Sequence, residues 1–278
     1  MTCTLPHSYY DHLAGCSEFR IAAVCAGIPR SATTMIYQIM RDLFPGGGVV
    51  KTHGWLDVPL DVPVVATVRD FRDAAVSWWR VRYAQEIERN AREMAKQLDR
   101  VGGWSFFVQQ QAVWQPSLLS MEDTVRLAGE FRQWVFWLDQ YVLDPKRIGR
   151  FLLLRYEDLV RDPQAACQSL SRVLGRECTP QVIEAHDLRH NWGLKRFTDQ
   201  PVYGWDAATA TGPIPNGHCH EGGVGTWQGF CDDKTSRVLT MLLQDELWRY
   251  GYIKGDEMEP SPPLATREAI EACFPKDG

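Results

Sequence analysis

The chain is predicted to adopt an α/β fold of three layers, a central parallel β-sheet flanked by helices, on three observations. Short apolar runs end abruptly in polar or titratable residues: RIAAVCA at 20–26, VVKTH at 49–53, VPVVATVRD at 62–70 and RFLLLRYEDL at 150–159. Between them stand segments with apolar residues at helical spacing, beginning with TTMIYQIMRDLF at 33–44. Finally, 278 residues with 45% hydrophobic content can bury one large core, and no Pro/Gly/Ser-rich stretch divides the chain evenly. A single domain over 1–278 is therefore expected, with an N-terminal arm over 1–18, an irregular loop over 190–230 and a polar tail over 256–278.

Taken in order, RIAAVCA reads as a short buried strand, and the helix 33–44 after it stops at the turn PGGG, 45–48. Between strand and helix lies AGIPRSATTM, 26–35, where a phosphate-binding loop would stand, which makes the predicted fold P-loop-like. The loop departs from GxxxxGK[ST]: Ala32 occupies the second Gly position and no Lys follows it. VVKTH and VPVVATVRD read as two further strands, and DFRDAAVSWWRVRY opens a long helical region running through AQEIERNAREMAKQLDR. GGWSFFVQQQAVWQP, 102–116, suits a loop or lid as well as a helix. SMEDTVRLAGEFRQWVFWLDQYVL begins with a capping-box-like Ser120 and Asp123 and carries a helical stripe. RFLLLRYEDL returns to strand character, a helix follows over about 163–174, and another is expected near 232–250. The Gly, Pro and Asn of 190–230 form no periodic pattern over a length that exceeds a connector, which predicts a functional loop.

A formal net charge of -5 argues against nonspecific binding to nucleic acid or to an anionic membrane, so any polyanion site must be local. No 18 apolar residues run together, and MTCTLPHSYYDHLAGC lacks a basic segment followed by an apolar one, so a cytoplasmic protein is expected. The eight cysteines form no CxxC pair, which in a chain of this length favours unpaired thiols in a reducing compartment. Eleven Trp point to aromatic packing around a pocket as well as in the core. The assembly is left open between a monomer and a homodimer.

Ligands of an open parallel sheet bind at the carboxyl ends of its strands, where helix N-termini direct free N–H groups. Three polar clusters fall at such ends. Arg30, Ser31, Ala32, Thr33 and Thr34 could form an anion nest with a guanidinium beside it; equally, Thr33 or Thr34 could be an ordinary N-cap and Arg30 a surface charge. Lys51 and His53, two apart on a strand, would share a face, suiting a fixed charge and a titratable base, or His53 could be a structural histidine. Arg69 ends the third strand, and Ser77, about two turns into the next helix, could share an anion with it or bond its own backbone. The aromatic residues Trp55, Trp104, Phe106, Phe107 and Trp114 suit an acceptor pocket or plain core packing. His218, Cys219 and His220 with Cys231 have a spacing that rarely fits a tetrahedron, so no metal is expected.

With these residues in place, the sequence resembles the sulfotransferases that use 3'-phosphoadenosine 5'-phosphosulfate. The family's PKSGTTW loop corresponds to PRSATTM, its strand ending KTH to Lys51–His53, and its VVRNPKDVAVSYY segment to ATVRDFRDAAVSWW. LVRYEDL before a Pro corresponds to LLRYEDLVRDP, and RKGxxGDW in part to GHCHEGGVGTW; the matches run in the same order from 26 to about 230. The resemblance implies that Arg30 to Thr34 wrap the 5'-phosphosulfate, that Arg69 and Ser77 hold the 3'-phosphate, and that Tyr156 lies near the adenine. It also implies His53 as catalytic base, Lys51 as the lysine contacting the transferring group, and Trp227 as the ring on which adenine stacks.

Two departures stand out. Arg30 replaces the family's Lys, and a guanidinium stabilises growing charge without giving up a proton. His220-Glu221-Gly222 replaces Arg-Lys-Gly, leaving the backbone of Gly222 as a phosphate contact. The expected reaction is transfer of a sulfuryl group to a hydroxyl or amine of a small-molecule acceptor, phenolic or a natural product, without a metal and with adenosine 3',5'-bisphosphate as product. A P-loop small-molecule kinase or a non-catalytic nucleotide-binding module are the alternatives.

Overall fold

The computed structural model describes residues 21–79, 119–147, 149–186 and 224–254. Four strands form one sheet: β1 (Ala23–Gly27), β2 (Val49–Lys51), β3 (Val64–Val68) and β4 (Phe151–Arg155). All pairs are parallel and the order is β2-β1-β3-β4. Cys25 lies opposite Lys51, Gly27 opposite Thr67 and Val68 opposite Arg155, so the carboxyl ends of the strands lie along one edge.

The described helices are α1 (Thr33–Leu43), α2 (71–79), α3 (Met121–Val142), α4 (Tyr156–Arg161) and α5 (Pro163–Leu174). They are followed by α6 (Pro180–His186), α7 (Trp227–Phe230), α8 (Asp233–Leu242) and α9 (Gln244–Arg249). Three of them, α3, α5 and α8, begin where a side chain satisfies a first-turn N–H group. Ser120 Oγ accepts from Asp123 N at 3.0 Å, Asp162 Oδ1 from Ala165 N at 3.0 Å, and Asp232 Oδ1 from Thr235 N at 2.7 Å. Gly175, at φ 61°, ends α5 in the left-handed region that favours glycine.

Strand alternation divides the core between the two faces of the sheet. Val24 and Ala26 of β1, with Val64, Ala66 and Val68 of β3, face a layer containing Phe131 and Leu138 of α3 and Leu239 and Leu247 of α8 and α9. Ala23, Cys25, Val65, Leu152 and Leu154 face Ile36 and Ile39 of α1 and Leu170 of α5. This is the predicted three-layer α/β arrangement. The first layer is further tied by a buried carboxylate: Asp139 of α3 accepts from Arg249 Nη1 at 2.8 Å and from the Tyr250 hydroxyl at 2.7 Å.

Several expected boundaries shift. The first strand begins at Ala23 rather than 20, and the second stops at Lys51, so Lys51 and His53 do not share a strand face. Thr52 N still donates to Cys25 O at 2.9 Å, but its hydroxyl then accepts from Gly54 N at 3.0 Å and closes a turn that carries His53 out of the sheet. The strand character expected over 150–159 ends at Arg155: Tyr156 begins α4, whose first turn carries Glu157 and Asp158, acidic residues that complement a helix N-terminus. The helix expected over 232–250 divides at Leu243 into α8 and α9. The arm 1–18, the segment 102–116, residues 190–223 and the tail 256–278 lie outside the described residues. Among the described residues, no helix is long and apolar enough to cross a membrane.

Gly27 is the tightest point of the sheet. It has φ 141°, and an added Cβ would stand 2.4 Å from Thr67 Oγ1 and 2.5 Å from Thr67 O. A Gly27→Ala protein is expected to lose about 3 kcal/mol of stability through backbone strain and a clash that neither strand can relieve. Urea unfolding measures it, and an unchanged midpoint would contradict this close approach.

Candidate active site at the carboxyl edge of the sheet

The loop between β1 and α1 is held from within. Arg30 has φ 69° and Ala32 φ 68°, both in the left-handed region, where non-glycine residues cost roughly 1–3 kcal/mol unless their surroundings hold them. What holds them is a set of hydroxyls. Ser31 Oγ lies 2.7 Å from Thr67 Oγ1 and 2.7 Å from Ile28 O, and Thr33 Oγ1 lies 2.9 Å from Thr67 Oγ1 and 3.1 Å from Ile28 O. These hydroxyls are buried and engaged with one another, so what Ser31, Ala32 and Thr33 can offer a ligand is backbone N–H. Ala32 is the N-cap of α1, and no side chain caps it; the ordinary N-cap reading of Thr33 and Thr34 is thereby removed. A helix start with uncapped N–H groups after left-handed residues is a suitable setting for an anion.

Three nitrogen-bearing side chains gather at this edge. Lys51 Nζ donates to Thr34 Oγ1 at 2.7 Å, joining the end of β2 to the first turn of α1. Arg30 Nε donates to Ser77 Oγ at 2.9 Å, joining the loop to α2. His53 Nδ1 lies 2.8 Å from Gly27 O. A carbonyl only accepts, so Nδ1 carries the proton and Nε2 keeps its lone pair. Burial and the charges of Lys51 and Arg30 hold the His53 imidazole down at about 4, against the raising effect of its bond to Gly27. Burial, together with the Arg30 charge, likewise lowers the Lys51 ammonium to about 8. Two cations, Lys51 and Arg30, close together beside a neutral imidazole are electrostatically matched to an anion.

A second cluster stands at the end of β3. Arg69 is buried, its guanidinium 4.8 Å from the Tyr156 ring centroid and 3.7 Å from Asp73 Oδ2. Asp70 N donates to Glu157 Oε1 at 2.9 Å, which ties the end of β3 to α4, and the Tyr252 hydroxyl meets Glu157 Oε2 at 3.2 Å. Arg72 is gripped by Asp70 through two bonds, at 2.9 and 2.6 Å, and lies 4.2 Å from the Trp227 ring centroid. Arg69, Tyr156 and Trp227 are thus assembled around α2. Ser77 is linked to Arg30 and so connects the two clusters.

Asp70, Arg72, Asp73, Glu157 and Tyr252 were not singled out by sequence reasoning. Acidic residues at helix starts are common, and only the fold shows what these meet. Trp55 is half-buried and packs on Tyr141 of α3 with ring centroids 4.5 Å apart, so its ring belongs at least partly to the core. Gly222, Trp104, Phe106, Phe107 and Trp114 lie outside the described residues, as do His218 and His220.

A parallel sheet with an internally braced loop after β1, and cationic side chains gathered at the strands' carboxyl ends, defines an α/β protein with a site suited to an anion. Residues 49–247 match the family described as the sulfotransferase domain, and the chain belongs to that family, whose chemistry is sulfuryl transfer. The match begins after the loop 26–35, so the loop's assignment rests on its own geometry. Among solved structures the chain is similar to the crystal structure of retinol dehydratase in a complex with retinol and PAP, at 16% identity over 88% of this chain and 84% of that one, with a TM-score of 0.43. No curated protein matches the chain.

The titration of His53 has a defined sign. Its ordinary value of 6.5 falls to about 4 on folding, so destabilisation sets in as the pH drops through 6.5 and is complete below 4. The imidazole NMR signals of His53 are expected to titrate well below those of an exposed histidine. In a His53→Gln protein the part of the acid destabilisation falling in that window is expected to be missing; a midpoint near 6.5 in the wild type would contradict the burial and charge placed around the ring.

Proposed function

We propose that the chain transfers the sulfuryl group of 3'-phosphoadenosine 5'-phosphosulfate to a hydroxyl or amine of a small-molecule acceptor, with His53 as general base. The observation that carries this reading is the Gly27 carbonyl, which fixes the proton on His53 Nδ1 and leaves Nε2 able to accept one, beside Lys51 and Arg30. The residues fit the donor: two left-handed positions, an uncapped helix start and mutually repelling cations all favour a polyanion. Bound anion would raise the basicity of His53, which is weak in the free site.

In this reading Nε2 removes the acceptor's proton as the acceptor oxygen or nitrogen bonds to sulfur. The bond from sulfur to the bridging phosphate oxygen breaks, and its electron pair stays with the departing adenosine 3',5'-bisphosphate. Lys51, Arg30 and the loop N–H groups of residues 31–34 would stabilise the charge on the nonbridging oxygens and the leaving phosphate. Arg30 stays charged throughout, so a proton for the leaving group would come from Lys51 or from water. At the other end, Arg69 and Ser77 would hold the 3'-phosphate, Tyr156 would lie by the adenine and Trp227 would stack on it, with Gly222 as a backbone contact. Trp55, two residues after His53, would border the acceptor side, and the four described cysteines, all buried free thiols, suit a cytoplasmic setting.

His53→Ala is expected to lower turnover by about 10²–10⁴-fold while the affinity for adenosine 3',5'-bisphosphate changes little. Near-normal turnover would remove His53 from the role. The donor itself is checked by thermal shift: adenosine 3',5'-bisphosphate is expected to raise the melting temperature and ADP with Mg2+ to leave it nearly unchanged. The reverse pattern would favour a P-loop kinase.

A further inference from the structure

Asp73 is buried in the first turn of α2, with 1% of its surface exposed. Its carboxylate gathers donors from a segment about 150 positions away in the chain. Oδ2 accepts from Gly225 N at 2.7 Å, while Oδ1 accepts from Trp227 N at 2.9 Å and from the Thr226 hydroxyl at 3.0 Å. Arg69 Nη2 stands 3.7 Å from the same Oδ2. We propose that Asp73 is a positioning residue for donor recognition, in which one buried carboxylate fastens the turn 224–227 to α2 and sets Trp227 and Arg69 in fixed register.

The physical case has three parts. A carboxylate withdrawn from water is tolerable only when its oxygens are fully engaged, and here three hydrogen bonds and a guanidinium engage them. Each bond to an ionised acceptor is stronger than a neutral one, so the turn is held firmly at both the backbone and the side chain of Thr226. Arg72 then limits the ring itself: held by two bonds to Asp70, its guanidinium covers one face of Trp227 at 4.2 Å. Backbone held by Asp73 and ring backed by Arg72, Trp227 has little freedom left.

The proposal rests on the reading of the donor as an adenosine 3'-phosphate derivative, because Arg69 and Trp227 are the residues assigned to that end of it. The other end has anchors of its own, His53 by Gly27, Lys51 by Thr34 and the loop by Thr67, and it meets α2 through the bond of Arg30 to Ser77, one turn beyond Asp73. Loosening the Asp73 joint therefore weakens the grip on the 3'-phosphate and adenine first and leaves the anchors of His53 and Lys51 in place.

Wild type, Asp73→Asn, Thr226→Val and Thr226→Ser are compared in three measurements. These are affinity for adenosine 3',5'-bisphosphate against adenosine 5'-phosphate, KM and kcat for the sulfonate donor, and hydrogen exchange of the Gly225 and Trp227 amides. Asp73→Asn is expected to weaken the bisphosphate about tenfold or more and the monophosphate much less, to raise KM for the donor with kcat within about threefold, and to speed both amides. Thr226→Val is expected to do the same to a smaller degree, with Thr226→Ser restoring it; this pair decides the matter if Asp73→Asn does not fold. Unchanged amide exchange would overturn the fastening, and unchanged bisphosphate affinity, or loss of kcat at constant KM, would overturn the role in donor recognition. If the wild type itself shows no preference for the bisphosphate, it is the donor reading that fails, whatever the variants do, and the amides still report whether Asp73 holds the turn.

Discussion

The site depends first on the contact between Gly27 and Thr67 at the ends of β1 and β3. Because Gly27 has no side chain, β1 comes close enough for Thr67 Oγ1 to reach the hydroxyls of Ser31 and Thr33, and those bonds support the left-handed backbone of Arg30 and Ala32. The carbonyl of the same residue receives His53 Nδ1. One glycine thus positions the loop 28–34 through the space it leaves empty and the His53 ring through its backbone oxygen. The two functions cannot shift independently, since both are referred to one point of the sheet.

Electrostatics follow from that crowding. Lys51 and His53 are partly buried with Arg30 nearby, so both bind protons less readily than in solution. A neutral imidazole protonated at Nδ1 keeps its Nε2 lone pair, and an anion bound nearby would raise its basicity. Arg30 replaces a titratable amine with a permanent charge and also bridges to Ser77, so the loop and α2 are held by a group that does not switch off with pH.

The opposite end of the site is built by long-range ties. Asp70 reaches α4 through Glu157, Glu157 reaches Tyr252, Asp73 reaches the turn at 224–227, and Asp139 holds Arg249 and Tyr250. Together they clamp the C-terminal part of the described chain against α2 and α3. The polar residues here act chiefly through one another, each held by partners from distant segments.

The sequence by itself determined the layers and the parallel sheet, because apolar strands and periodic helices are written in local patterns, and because strand ends in PRSATTM, KTH and TVRD announce themselves by an abrupt change of polarity. It also carried the family, through motifs kept in order. It misplaced the ends of elements such as YEDL and KTH, where a helix start and a side-chain turn override strand character. What only the tertiary structure decided is which groups are spent within the protein and which remain for a ligand. Ser31 and Thr33 look like ligands in sequence but bond to Thr67, while Asp73 and Glu157 look like ordinary helix-start acids but carry contacts between distant segments. The reason is physical: a side chain's chemistry is local, but its hydrogen-bond partner is chosen by packing across the whole fold.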